Sequence, residues 1–316
     1  MRLVISLCLY LAVIPAVMAS DTKESAKGLS HYIAGVYYED VGELKKASSE
    51  YRKALEEDPD SALLHLNLAS ICIKDNDAAQ AEAQLKQAID LAPDSVEPHA
   101  ILALVYTAQN KTELAAGEYT VALKNAARLE PKNIEIYKSL GAIYLQQKKL
   151  KEAEGVFKLI QGLDRDDLES HFYLASIYYD LKNFPAAEKE LKAALKINPG
   201  YHEALNFLGY FYLEQDRNIN QAGRLIQKAL VSEPENAAYI DSLGWFYFKK
   251  GKYKDALEKL EKAASLMSDP VIYDHLGDVY LKLGNRGDAG INWKKSLNLD
   301  SAQEKVKEKL LKLDGK

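Results

Sequence analysis

Residues 239–263 read YIDSLGWFYFKKGKYKDALEKLEKA. A Leu-Gly pair, Leu243 and Gly244, is followed by three aromatics, and a lysine-rich stretch with Ala256 and Ala263 comes next. The segment is either a ligand platform built on Trp245 or one copy of a unit that the chain repeats. The rest of the chain answers. Leu140-Gly141 precedes Tyr144 at the distance separating Leu243-Gly244 from Tyr247, as do Leu208-Gly209 for Tyr212 and Leu276-Gly277 for Tyr280. Looser copies are Ala34-Gly35 with Tyr38, Leu68-Ala69 with Cys72, Leu102-Ala103 with Tyr106, and Leu174-Ala175 with Tyr178.

The small residue falls at 35, 69, 103, 141, 175, 209, 244 and 277, at intervals of 34, 34, 38, 34, 34, 35 and 33. A second one follows in register: Ala47, Ala81, Ala115, Ala153, Ala187, Ala222, Ala256 and Ala289. Pro59, Pro93, Pro131, Pro199 and Pro234 close several copies. Ile240, Leu243 and Tyr247 recur at helical spacing, as do Ala256, Leu260 and Ala263, so each copy reads as two amphipathic helices, A and B. Small residues at the eighth and twentieth positions let the two helices approach, and Gly251 and Gly284 fall where A turns into B. Ser61, Ser95, Asn133 and Asn236 are placed to cap A helices. The third copy is four residues longer, about one helical turn near residues 123–130. A lone copy cannot bury its apolar faces, so neighbours must stack.

These residues resemble the tetratricopeptide repeat, with its W-x₂-L-G-x₂-Y, A-x₃-F and proline pattern in about 34 residues. The fourth copy matches best, through Tyr137, Leu140, Gly141, Tyr144, Ala153 and Phe157. The resemblance implies an all-α, right-handed helical solenoid of eight helix–turn–helix repeats across 28–301: 28–61, 62–95, 96–133, 134–167, 168–201, 202–236, 237–269 and 270–301. Residues 302–316 form a capping helix and tail, with Val306, Leu310 and Leu313 on one face.

Charge and composition narrow the function classes. The 316 residues are 28% charged and 47% hydrophobic with a net charge of −5, and the signs are interspersed. No basic stripe suits nucleic acid. Residues 1–19 carry Arg2, the apolar run LVISLCLYLAVI and small residues before Ser20, the order of a secretory signal peptide, with 20–27 as a linker. The run is shorter than the roughly 20 residues that span a bilayer, so the mature chain is expected to be exported without an integral span, and periplasmic if the source is Gram-negative. Cys8 lies within the run rather than at the cut, which argues against a lipoprotein, and Cys72 is left without a disulfide partner.

In the family resembled, the fifth, ninth and twelfth positions of helix A line the concave groove. Carried over, they give a C-terminal surface of Phe172, Tyr179, Tyr210, Trp245 and Phe248 ending in Asp241, Asp274 and Asp278. Aromatics dominate binding hot spots, so this set is the expected partner-binding site for an apolar peptide or protein segment with a basic end. The alternative is that these rings pack against the helix A of the next repeat. The ninth positions carry no asparagine, which excludes the acidic-tail grip of chaperone-binding relatives.

His31, His65, His99 and His171 share one register position and replace its aromatic rather than gathering a metal. The acidic run at 164–167 reads as an inter-repeat turn, and no hydrolase, phosphate-loop or dinucleotide motif occurs. The expectation is a non-enzyme without cofactor: an exported adaptor binding a protein partner. A non-catalytic subunit positioning substrate for an envelope enzyme and a glycan- or peptidoglycan-binding solenoid are the alternatives. Repeats six to eight resemble bacterial cell-envelope repeat proteins, some of them adaptors for processing proteases and others aids to secretion, pili or cytochrome maturation.

Overall fold

The computed structural model describes residues 24–315; the leader expected at 1–19 lies outside them. Among the described residues there are seventeen helices, and the first sixteen pair consecutively. They fall into two compact bodies, one up to Pro131 and one from Lys132 onward.

In the N-terminal body the A helices are α1 (Glu24–Asp40), α3 (Ala62–Lys74) and α5 (Glu97–Ala108). Their B partners are α2 (Leu44–Glu57), α4 (Ala78–Leu91) and α6 (Thr112–Leu129). Helix α6 has 18 residues where α2 and α4 have 14, so the long third interval is one added turn of helix B. In the C-terminal body the A helices are α7 (Ile134–Gln146), α9 (Leu168–Asp180), α11 (His202–Glu214), α13 (Ala237–Lys249) and α15 (Pro270–Lys282). They alternate with α8 (Leu150–Leu163), α10 (Phe184–Ile197), α12 (Ile219–Ser232), α14 (Tyr253–Leu266) and α16 (Arg286–Leu299), and α17 (Glu304–Asp314) follows.

The turn from A to B is made the same way eight times. Gly42, Asn76, Asn110, Lys148, Lys182, Asp216, Gly251 and Gly284 all adopt φ between 49° and 83°. The residue after this left-handed one donates its N–H to the carbonyl five residues before itself, as from Lys149 to Tyr144 (2.8 Å) and from Asn285 to Tyr280 (2.9 Å). Helix starts are less uniform. Asn133 and Asn236 accept from the first turns of α7 and α13 as expected, but Ser61 makes no cap bond and α5 begins at Glu97, leaving Ser95 outside it. Asp167, within the acidic turn, caps α9 by accepting from Ser170 N (2.7 Å).

The small residue of helix A marks where helix B drives in a large one. A Cβ on Gly141 would lie 2.7 Å from Phe157, and one on Gly277 would lie 2.3 Å from Trp293 Nε1. Rings so buried are worth about 1.5–3 kcal/mol each. The repeat tyrosine buries its ring and keeps its hydroxyl at the rim, where it latches onto the preceding helix B: Tyr106 to Glu82 (3.1 Å), Tyr178 to Glu154 (3.1 Å) and Tyr212 to Glu188 (2.8 Å). At the C-terminal end Val306, Leu310 and Leu313 of α17 cover Ala289 and Trp293, while Glu304, Lys305, Glu308 and Lys312 face solvent.

Candidate partner-binding groove

Within the C-terminal body, α9, α11, α13 and α15 succeed one another and enclose a cleft of about 350 Å³. Its lining includes Phe172 on α9, Asn206, Phe207 and Tyr210 on α11, Tyr239 on α13 and Ile272 on α15. One wall is an edge-to-face aromatic cluster: Phe207 lies 5.9 Å from Phe172 and 5.6 Å from Tyr179, which in turn lies 6.1 Å from Phe211. Two acceptor oxygens of the lining residues, Glu203 Oε2 and Asn206 Oδ1, have no hydrogen-bond partner. Glu203 Oε2 sits 3.2 Å from His202 Nδ1, which is committed instead to the Tyr239 hydroxyl at 2.9 Å. A buried acceptor left unpaired costs about 1–3 kcal/mol.

The eight residues singled out from sequence do not all reach this cleft. Phe172, Tyr210 and Asp241 line it. Trp245 is only 7% exposed, and Asp241 5%. The Trp245 ring stacks between Phe248 (4.5 Å) and His275 (4.0 Å), and its Nε1 donates to Glu214 (2.9 Å). Asp241 is bonded to His275 Nδ1 at 2.9 Å. Burial disfavours charge on His275, yet the Asp241 carboxylate overrides it and raises the imidazole above its ordinary value. Asp274 and Asp278 both accept from Lys309 of α17, at 2.6 and 2.8 Å. Burial works against the Lys309 charge too, and the two carboxylates outweigh it.

Glu214–Trp245, Asp241–His275 and Asp274/Asp278–Lys309 thus tie α11 to α13, α13 to α15 and α15 to α17. The acidic end of the expected site is internally paired, and half-buried Phe172, Tyr179, Tyr210 and Phe248 are the aromatics left with accessible surface.

Sequence reasoning passed over Phe207, which stands at the sixth position and not at one of the groove positions of the family. Glu203 lies one turn before it on the same helix. In the N-terminal body the groove positions carry exposed aliphatics, Val36, Ile73 and Leu104. The shared histidine position has a partner of its own. His31, His99 and His171 each meet a helix-B glutamate 19 residues on, Glu50, Glu118 and Glu190, at 2.6 Å, and His65 meets Gln84 at 2.8 Å. Among the described residues no cluster of three or more His, Cys, Asp or Glu could hold a metal ion, and no helix is long and apolar enough to cross a membrane.

Paired helices in a fixed register, stacked so that each covers its neighbour, define an all-α helical-repeat protein. Profiles of the tetratricopeptide repeat match residues 40–105, 102–168 and 168–201, and the chain belongs to that family. A TPR repeat-containing protein of Pseudomonas aeruginosa is 34% identical over 91 residues, 29% of this chain and 15% of that one. Type IV pilus assembly protein PilF of the same organism is 26% identical over 141 residues, 44% of this chain and 56% of PilF. The chain therefore spans less than two thirds of the length of either relative. A tetratricopeptide repeat protein from Parabacteroides merdae superposes with a TM-score of 0.61 at 20% identity, covering 81% of this chain and 99% of that one. The Cut9–Hcn1 hetero-tetramer structure matches with a TM-score of 0.57 at 17% identity over 85% and 52%. Both share the fold.

Proposed function

We propose that this chain is an exported, non-catalytic protein-interaction scaffold that holds a segment of a partner protein in the cleft of α9, α11, α13 and α15. The carrying observation is that cleft itself: aromatic walls on successive A helices, with the Glu203 carboxylate and the Asn206 amide among its lining residues. An apolar segment satisfies the rings, and a lysine or arginine on it meets the Glu203 carboxylate, whose side chain is 40% exposed. The basic end of the partner is thereby assigned to Glu203, because Asp241, Asp274 and Asp278 already have partners. The binding set is then Phe172 and Tyr210 with Phe207, Glu203 and Asn206, with Tyr179 and Phe248 packed behind or beside it, while Trp245 and Asp241 hold the helices that carry it. Similarity to a pilus assembly protein supports an adaptor role in assembling a cell-envelope structure, periplasmic if the source is Gram-negative.

The test places a photoreactive amino acid at Phe207, in the cleft, or at Gln227, exposed on α12, and irradiates each form in envelope extract of the source cell. The reading expects a protein adduct from position 207 that Glu203→Ala abolishes, and none from 227. Equal labelling from both positions, or a 207 adduct indifferent to Glu203→Ala, contradicts it.

A further inference from the structure

The charges interspersed along the sequence are sorted by the fold. In the C-terminal body the turns from helix A to helix B are residues 147–149, 181–183, 215–218, 250–252 and 283–285. Among the described residues they hold Lys148, Lys149, Lys182, Arg217, Lys250 and Lys252 against a single carboxylate, Asp216. The turns that leave the B helices, 164–167, 198–201, 233–236, 267–269 and 300–303, hold seven carboxylates against Arg165 alone. Short turns make A and B antiparallel, so turns of one kind share one edge of the stacked pairs. One edge is therefore basic and the other acidic. The N-terminal body has no basic edge: its A-to-B turns, 41–43, 75–77 and 109–111, hold Glu43, Asp75 and Asp77 against Lys111.

The basic edge is not neutralised from within. Asp216 is taken up by a further lysine, Lys249, at 2.6 Å. Arg217 pairs with Glu188 at 2.6 Å. Lys250 donates to the side-chain oxygen of Asn220 (3.0 Å), and Lys182 and Lys252 lie over the rings of Tyr179 and Tyr247. Lys148, Lys149, Lys182, Lys250 and Lys252 meet no carboxylate among the described residues. Where turns six and seven adjoin, Arg224, Lys249 and Lys250 line a recess of about 560 Å³, room for a headgroup phosphate. The acidic edge lies one helix length away, about 20 Å. That exceeds two Debye lengths at physiological salt, so it does not cancel the field of the lysines.

We infer that this edge docks the protein on an anionic phospholipid surface. Its cations are mostly lysines at exposed turns, spread over four successive repeats, which suits a plane of headgroup phosphates. Two leucines stand out along the same edge: Leu181, beside Lys182, is 42% exposed, and Leu283 39%. They are placed to enter the boundary between headgroups and acyl chains. An acidic protein partner would need an apolar core within a polar rim, and single leucines separated by charged turns make none. The docking has a direction. The cleft is lined from the opposite ends of the A helices, by Glu203, Tyr239 and Ile272, and from the acidic edge by Asp269. An anionic surface attracts the basic edge and repels the acidic one, which leaves the cleft turned away from it.

Flotation of the purified exported protein with phosphatidylcholine vesicles, with or without phosphatidylglycerol, tests this. The protein is expected to float only with the anionic vesicles and to be released as salt rises. A lysine near an anionic surface is worth roughly fivefold in partitioning. Lys148→Gln/Lys182→Gln/Lys252→Gln is therefore expected to lose about 100-fold, with an unchanged helical circular-dichroism spectrum. Lys196→Gln/Lys228→Gln/Lys262→Gln removes the same charge from exposed sites toward the far ends of the B helices and is expected to retain binding. No binding to the anionic vesicles, binding indifferent to phosphatidylglycerol, or equal losses from the two triple variants overturns the proposal. Capture by polyglutamate without any vesicle binding overturns it as well, by making the partner an acidic protein. None of these lysines lines the cleft, so the result is read separately from peptide capture there.

Discussion

The tightest statement about packing concerns Gly277. A methyl group there would lie 2.3 Å from Trp293 Nε1 and 2.4 Å from Cδ1, well inside contact distance. The indole has nowhere to go, being 1% exposed and enclosed by Ala289, Val306, Leu310 and Leu313. Overpacking of this kind costs about 1–3 kcal/mol, and three ring atoms inside 3 Å place it near the top of that range. Replacing a mid-helix glycine by alanine returns about 1 kcal/mol of helix propensity. Gly277→Ala is therefore expected to destabilise the last repeat by about 2 kcal/mol.

The chain itself supplies the relieving partner: Ala69 sits 16 residues before Leu85, as Gly277 does before Trp293, and both Ala69 and Leu85 are fully buried. Trp293→Leu alone leaves a cavity and is expected to cost about 2–4 kcal/mol. The double variant should be more stable than the sum of the two losses by about 1–2 kcal/mol. Hydrogen exchange of the α15–α17 amides is the assay, because repeat arrays need not unfold as one two-state unit. Additive losses, or a Gly277→Ala variant that gains stability, would refute the steric reasoning.

Three further outcomes follow from single sites. Lys148 and Lys182 sit at φ 56° and 60° in turns where other repeats use glycine, so Lys148→Gly and Lys182→Gly should each stabilise by about 0.5–1 kcal/mol in urea unfolding, against the usual loss from added chain entropy. Asp241 raises His275 despite burial, so their pairing stabilises fully below the ordinary histidine value of about 6.5 and is lost as pH rises through the raised folded value; Trp245 fluorescence in a Trp293→Phe background should change on that alkaline side, and Asp241→Asn should move the change to lower pH. Burial opposes ionisation of Glu188, but hydrogen bonds from Lys192, Arg217 and Tyr212 hold it down at about 2; its contribution should be present above the ordinary glutamate value of about 4.3 and fall away toward pH 2, and Glu188→Gln should flatten that limb of an acid titration followed by circular dichroism.

The fold was legible because it is written in register. The glycine or alanine of helix A, the alanine of helix B and the long third interval mark close approaches and lengths that no other residues satisfy as well, and Gly251 and Gly284 pointed to the turns. The left-handed turns at Lys148 and Lys182 could be placed only by that register, since their residue type favours no such conformation. Legibility stopped at contacts between neighbouring repeats made by residues that do not recur. His275 comes from one repeat to stack on Trp245 of another, and Lys309 comes from beyond the repeats to bridge Asp274 and Asp278. The family pattern says that these positions share a face, and it is silent on which neighbour fills the space between them. The repeated histidines show the opposite case: Glu50, Glu118 and Glu190 recur 19 residues after theirs, a signal present in the sequence for anyone pairing the two helices.

The central claim is that recognition takes place in the α9–α15 cleft. Selection of displayed random peptides on the purified protein tests it without knowledge of the natural partner. The account predicts enriched sequences with apolar residues beside a lysine or arginine, whose binding drops at least ~10-fold with Glu203→Ala or Phe207→Ala, as loss of a hot-spot contact does, and is unchanged by Gln227→Ala. Enrichment of acidic peptides, or of binders indifferent to both cleft variants, would contradict it.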